Sequence, residues 1–145
     1  MMKNTPLKEV MICNPITLNI DDSFVDAARI FSEKRIRHLP VVNTTGTIMG
    51  IISQRDFNRI TAPKRNEKGE YVYNMDELAT YMLKQHIIES VTTLTPEDPI
   101  EKAVEIMAEQ KLGAIPIVDS ENRVIGIVSA IDMLKLLLKI LRQEK

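Results

Sequence analysis

The chain has 145 residues, 44% of them hydrophobic but only 4% aromatic and none tryptophan, so an aliphatic core is expected and no aromatic platform for stacking single-stranded nucleic acid is evident. Nineteen Lys and Arg against 20 Asp and Glu leave a net charge of −1, which excludes a general attraction to phosphate backbones or anionic lipid and confines anion binding to local clusters. One cysteine, Cys13, and two histidines exclude an intrachain disulfide and a Cys- or His-cluster metal site, and no run of about 18 apolar residues exists to span a bilayer.

The start, "MMKNTPLKEV", lacks the apolar centre of a signal peptide, so the chain reads as soluble and cytoplasmic, with no nucleic acid or membrane among its partners. "ITL" predicts a short strand ending at an acidic turn. "DDSFVDAARIFSEKRI" then places Phe24, Ala27, Ala28 and Phe31 on one helical face, with Asp22 or Ser23 as the N-cap. "HLPVV" reads as a buried strand, "NTTG" as a turn and "TIMGIIS" as the hairpin partner, followed by a helix opened by Asp56.

"TAPKRNEKGEYVYN" breaks the pattern with Pro, Gly and charge and reads as an exposed connection, after which Met75, Leu78 and Met82 regain helical spacing. The earlier order then returns. "TTL" precedes a helix presenting Ile100, Ala103, Val104 and Met107 behind Pro99, then "AIPIV", the turn "DSEN", "RVIGIVS" and a helix opened by Asp132. A single offset of 76 carries Thr17 onto Thr93, Gly50 onto Gly126, Ser53 onto Ser129 and Asp56 onto Asp132.

The last segment, "IDMLKLLLKILRQEK", is too apolar for a free surface helix. Lys135, Lys139 and Arg142 form one polar stripe and Leu134, Leu136, Leu137, Leu138, Ile140 and Leu141 cover the rest, so one side is expected on its own unit and the other on a second chain; an interfacial membrane helix is the alternative.

These patterns predict an α/β (α+β) fold of two pseudo-symmetric β-α-β-β-α units, residues 1–61 and 75–145, joined by an exposed connection at 62–74. Each unit is too small to build a full core alone, so the two are expected to pack sheet to sheet about a pseudo-twofold axis, with a ligand cleft between them.

"IRHLPVV" and "LGAIPIV", each followed ten residues after its proline by Gly-Ile-x-Ser-x-x-Asp, resemble the tandem cystathionine-β-synthase-type (CBS) domain pair over nearly the whole chain. The long polar insertion before the second unit is similar to the CBS portion of acetoin-utilization-type proteins, without their ACT domain in the 145 residues. The resemblance implies a regulatory module that binds an adenosyl compound (AMP, ADP, ATP or S-adenosylmethionine), needs no obligatory cofactor, is often a homodimer, and signals to a regulated protein the sequence does not name.

For such a ligand, Asp56 and Asp132 are the candidates to accept from both ribose hydroxyls; each is read equally well from spacing as a helix cap. Ser53 and Ser129 would meet phosphate at the strand end, and are otherwise turn serines. Arg55, Arg37 and His38 form a basic cluster in the first unit, where the second has Ile131, Gly113 and Ala114. Thr17, Thr93 and the backbone at Pro40, Ala114 and Pro116 would frame adenine, the aliphatic side chains there being core. No nucleophile–base pair or Walker-type loop is present, so catalysis is not expected. The alternative from another class is a CBS pair that binds no ligand and serves as an interaction scaffold, which the neutral second half suggests.

Overall fold

A computed structural model describes residues 4–87 and 91–144. The chain opens with a 3-10 turn, Leu7–Glu9, and a two-residue strand, β1 (Ile12–Cys13). The first repeat follows as β2 (Leu18–Asn19), α1 (Phe24–Lys34), β3 (His38–Val42), β4 (Ile48–Ser53) and α2 (Gln54–Thr61). After β5 (Lys64–Arg65), β6 (Tyr71–Val72), α3 (Met75–Leu78) and a 3-10 turn at Leu83–Gln85 comes the second repeat: α4 (Ile100–Gln110), β7 (Ala114–Val118), β8 (Val124–Ser129) and α5 (Ala130–Gln143).

The repeats share details that the offset of 76 predicts but does not spell out. In both, the helix after the first strand ends in a left-handed residue, Arg35 (φ 52°) and Lys111 (φ 56°). Both hairpins, β3–β4 and β7–β8, carry an irregularity between equivalent residues, Val41/Val42 and Ile117/Val118. Both turns are closed by a side chain: Asn43 Oδ1 accepts from the amides of Thr45 and Thr47, and Asp119 Oδ1 from those of Glu121 and Arg123. Gly46 (φ 83°) and Asn122 (φ 64°) take the left-handed position that such turns demand. One difference is that Leu18, the last residue of "ITL", opens the two-residue strand β2, parallel to β3, whereas "TTL" contributes only a bridge from Leu94 to Ile117.

The compact units do not follow the linear boundaries expected at 61/62 and 74/75. One unit is Ile16–Val91; the other joins Met1–Pro15 to Thr92–Lys145. The reason is hydrogen bonding and burial: Leu7, fully buried, sits in the core of the second repeat, while Leu78 and Leu83 sit in that of the first. Leu7 N–H donates to Asp98 O at 2.8 Å and Ile100 N–H to Thr5 O at 2.9 Å; their equivalents are Leu83 to Asp22 at 3.4 Å and Phe24 to Tyr81 at 3.2 Å. The repeat thus reaches upstream to Thr5 and Tyr81. In the second unit β1 adds to the sheet edge, giving the order β1-β8-β7; the first unit's sheet has the order β2-β3-β4.

The cores differ in chemistry. The second repeat's is aliphatic as expected, built on Leu94, Ile100, Ile115, Ile117 and Val128. The first repeat's is not: Phe24, Phe31, Phe57 and Tyr73 gather there, with Phe57 at 5.0 Å from Phe24, 5.3 Å from Phe31 and 5.5 Å from Tyr73 between ring centroids. A few rings suffice because these four converge on one small core.

Three expectations change at the element level. The stretch 62–74 is not uniformly exposed: β5 and β6 form an exposed antiparallel hairpin, but Tyr73 is buried and donates a hydrogen bond from its hydroxyl to Asn58. The spacing of Met75, Leu78 and Met82 does not make one helix; α3 is a single turn capped by Asn74, and the buried leucines are Leu78 and Leu83, five apart. Val104, expected on the buried face of α4, is 42% exposed.

Candidate functional site

The two strand-to-helix turns are one device made twice. β4 ends at Ser53, whose Oγ accepts the amide of Asp56 at 3.0 Å, and β8 ends at Ser129, whose Oγ accepts the amide of Asp132 at 3.1 Å. Each serine is therefore the N-cap, and the helices open at Gln54 and Ala130, two residues ahead of the aspartates expected to open them. The first helical amide of each is satisfied by the residue before the neighbouring strand: Gln54 donates to Arg37 O at 2.8 Å, Ala130 to Gly113 O at 2.9 Å. With the serines capping, the aspartates stand in the first turn, where the helix dipole favours a carboxylate that has no capping duty.

The first-repeat unit collects charge around this turn. His38 pairs across the hairpin with Ser53, and Arg37 precedes it. His38 is half-buried, and burial, then the Arg37 cation, hold its pKa below 6.5, with Asp56 opposing them. Arg55 and Asp56 are exposed. Asp56 makes a long ion pair with Arg59, 3.7 Å, between side chains both more than half exposed, a contact worth little in water and easily exchanged for a ligand. Arg59 was not anticipated; its position three residues past Asp56 was the available signal.

In the second-repeat unit Ala114 takes the position opposite Ser129, and Ile131, exposed, takes that of Arg55. The Asp132 carboxylate is half-buried and has no partner among the described residues.

The remaining candidates divide. Thr17 and Thr93 are half-buried and immediately precede Leu18 and Leu94, which pair with Val41 and Ile117, each one past the strand proline. Pro40 and Pro116 are fully buried, and Ala114 is 6% exposed, so their side chains are core and only main-chain groups are left to face a ligand. The glycine of the second motif has a packing cause: a Cβ on Gly126 would lie 3.2 Å from Ile12 O and 2.5 Å from Met11 Sδ, where β1 crosses. Among the described residues no three His, Cys, Asp or Glu side chains gather to hold a metal ion, and no helix is long and apolar enough to cross a membrane.

A mixed α+β unit with a capped strand-to-helix turn is present twice in one chain, which makes it a tandem-repeat protein. Residues 7–62 and 81–139 match the family model for the CBS domain, and the chain belongs to that family as a CBS-domain pair. A homoserine O-acetyltransferase of Methanohalobium evestigatum is 31% identical over 94% of this chain, which spans only 25% of that relative's length. A CBS domain-containing protein of Dictyostelium discoideum is 28% identical, with 93% of this chain and 92% of the relative covered. Among solved structures, the CBS domain pair of protein MJ0100, in complex with 5′-methylthioadenosine and S-adenosyl-L-methionine, superposes with a TM-score of 0.74 at 26% identity, covering 94% of this chain and 98% of that one. A putative acetoin utilization protein from Vibrio cholerae gives 0.79 at 22% identity, with 96% of each chain covered. CBSX2 in complex with AMP gives 0.73 at 19%, covering 93% and 97%.

Proposed function

We propose that this chain is a non-catalytic regulatory module of the cytoplasm that binds an adenosyl ligand at its strand-to-helix turns and passes the occupancy to a partner protein, acting as a homodimer. The observation that carries this reading is the division of labour at each turn. Because Ser53 and Ser129 cap the helices, Asp56 and Asp132 keep carboxylates available to accept from the two hydroxyls of a ribose. The neighbouring Arg37, His38 and Arg55 suit a phosphate chain, so AMP, ADP or ATP fits the first turn; the second turn, where Gly113, Ala114 and Ile131 stand in their places, suits a ligand without phosphates, such as S-adenosylmethionine. The bound ligands of the two CBS-pair neighbours are of this adenosyl class.

Titration calorimetry with each of the four ligands tests it. Losing charge-assisted bonds to ribose costs about 1.5–3 kcal/mol, so Asp56→Ala is expected to weaken AMP binding by roughly 10- to 100-fold. Unchanged affinity in Asp56→Ala combined with Asp132→Ala removes the assignment.

A second reading, that the pair binds no ligand and serves as a scaffold, has its own observation in the neutral second turn, where Gly113, Ala114 and Ile131 replace Arg37, His38 and Arg55. Absence of heat with every adenosyl compound at millimolar concentration favours it.

A further inference from the structure

The helices that follow the two capped turns are held to their cores differently. α5 packs Ala130, Met133 and Leu136 against the core of its unit. The offset of 76 puts Gln54, Phe57 and Ile60 at these places in α2. Phe57 is fully buried, but Gln54 is polar and Ile60 is 39% exposed, so among the described residues of α2 only Phe57 belongs to the core. Apolar burial has no direction of its own, so a helix of eight residues with one apolar anchor has little to set its rotation about its own axis.

The inserted stretch supplies what packing does not. Tyr73, directly after β6, lays its ring against Phe57 and donates its hydroxyl hydrogen to Asn58 Oδ1. Burial holds the Tyr73 pKa above the usual tyrosine value, against the effect of the Gln54 and Asn58 side chains, so the phenol keeps the proton it donates. Gln54 and Asn58 are four apart and share one face of α2. The Asn58 carbonyl meanwhile accepts the amide of Ala62 at 2.8 Å, where α2 ends in a left-handed residue. Asn58 thus ties both ends of the stretch 62–73 to α2. At the places of Gln54 and Asn58, α5 has Ala130 and Leu134, whose side chains offer no acceptor.

We propose that Tyr73, through Asn58, is a positioning residue for the first ligand site: it fixes the rotation of α2 and with it the direction in which the Asp56 carboxylate leaves the helix. A carboxylate at the rim of a helix stands about 5–6 Å from the axis, so a roll of about 20° carries it about 2 Å, enough to break a hydrogen bond to a ribose hydroxyl. Tyr73 is only 9% exposed, so it acts through α2 and not by touching a ligand. This inference rests on the reading of the first turn as a nucleotide site and deepens it, because a residue of the inserted stretch then helps to set the affinity.

Titration calorimetry on the full chain tests it, with AMP, ADP and ATP as probes and circular dichroism to confirm that each variant is folded. Tyr73→Phe removes the hydroxyl and keeps the ring on Phe57; Asn58→Leu gives α2 the residue that α5 has at that place. Each is expected to weaken binding of the tightest of the three nucleotides by roughly three- to tenfold, the share of one hydrogen bond. Because the effect runs through Asp56, Tyr73→Phe is expected to change the affinity by less than about twofold in an Asp56→Ala background. Wild-type affinity in either variant overturns the inference and leaves the nucleotide reading standing. An equal loss with and without Asp56 overturns it as well, since the hydroxyl then acts elsewhere. A wild type that binds none of the three nucleotides overturns the reading of the first turn and the inference together.

Discussion

His38 is the residue whose ionisation reports on the site. Burial and the Arg37 cation lower its pKa below 6.5, so as pH falls the unfolded chain takes up this proton before the folded one. The stability held by neutral His38 is therefore complete above about pH 6.5 and declines as pH drops from there toward the folded value. In urea melts across this range, His38→Gln is expected to flatten the decline. A ligand phosphate near His38 favours its charged form, so AMP affinity is expected to rise as pH falls from about 8 to about 6, whereas S-adenosylmethionine affinity does not. Calorimetry in buffers of different ionisation enthalpy detects the accompanying proton uptake, and its absence for AMP places the phosphate away from His38. Gly126 makes the opposite kind of claim, one of packing alone: Gly126→Ala forces Met11 and β1 aside and is expected to cost about 1–3 kcal/mol without touching the ligand. That glycine was legible as part of a motif, but its reason was not, because Met11 lies more than a hundred residues away in sequence.

At the scale of elements, the hairpins and the amphipathic helices α1 and α4 were readable because each is decided locally, by an alternating run, a turn residue or a helical stripe. The start of α2 and α5 was not, since Ser53 and Ser129 end a β-prone run and the capping hydroxyl looks like one more strand residue. Removing those hydroxyls tests the corrected boundaries. Ser53→Ala and Ser129→Ala are each expected to cost about 1 kcal/mol, a fall in Tm of roughly 4 °C for a chain of this size. An undiminished Tm in both would return the capping role to the aspartates. The segment after Met75 was misread for a different reason. Its apolar residues obey a helical period, but burial selects Leu78 and Leu83, and the chain breaks into two short turns to place both.

For the whole molecule, the repeat was plain from Thr17 to Asp56, yet the segments upstream of each repeat had diverged too far to register: Pro6 falls on Met82 at the offset, and only Leu7/Leu83, Lys8/Lys84 and Ile12/Ile88 are identical there. Those segments close the core of the other repeat, a long-range choice that local pattern does not encode. A fragment of residues 16–91 is accordingly expected to keep a cooperative thermal transition, while a fragment cut as residues 1–61 loses Leu78, Leu83 and Tyr73 from its core and melts broadly or not at all. Equal cooperativity in both fragments would show the exchanged segments to be dispensable. The most direct test of the adenosyl-binding reading is a set of thermal melts of the wild type and of Asp56→Ala/Asp132→Ala with AMP, ADP, ATP, S-adenosylmethionine and no ligand. A ligand at 100 times its Kd adds about 2.7 kcal/mol of stability, so at least one adenosyl compound is expected to raise the wild-type Tm by roughly 5–10 °C and to leave the double variant where it was. Flat wild-type melts with all of them, or an equal rise in the double variant, would contradict it.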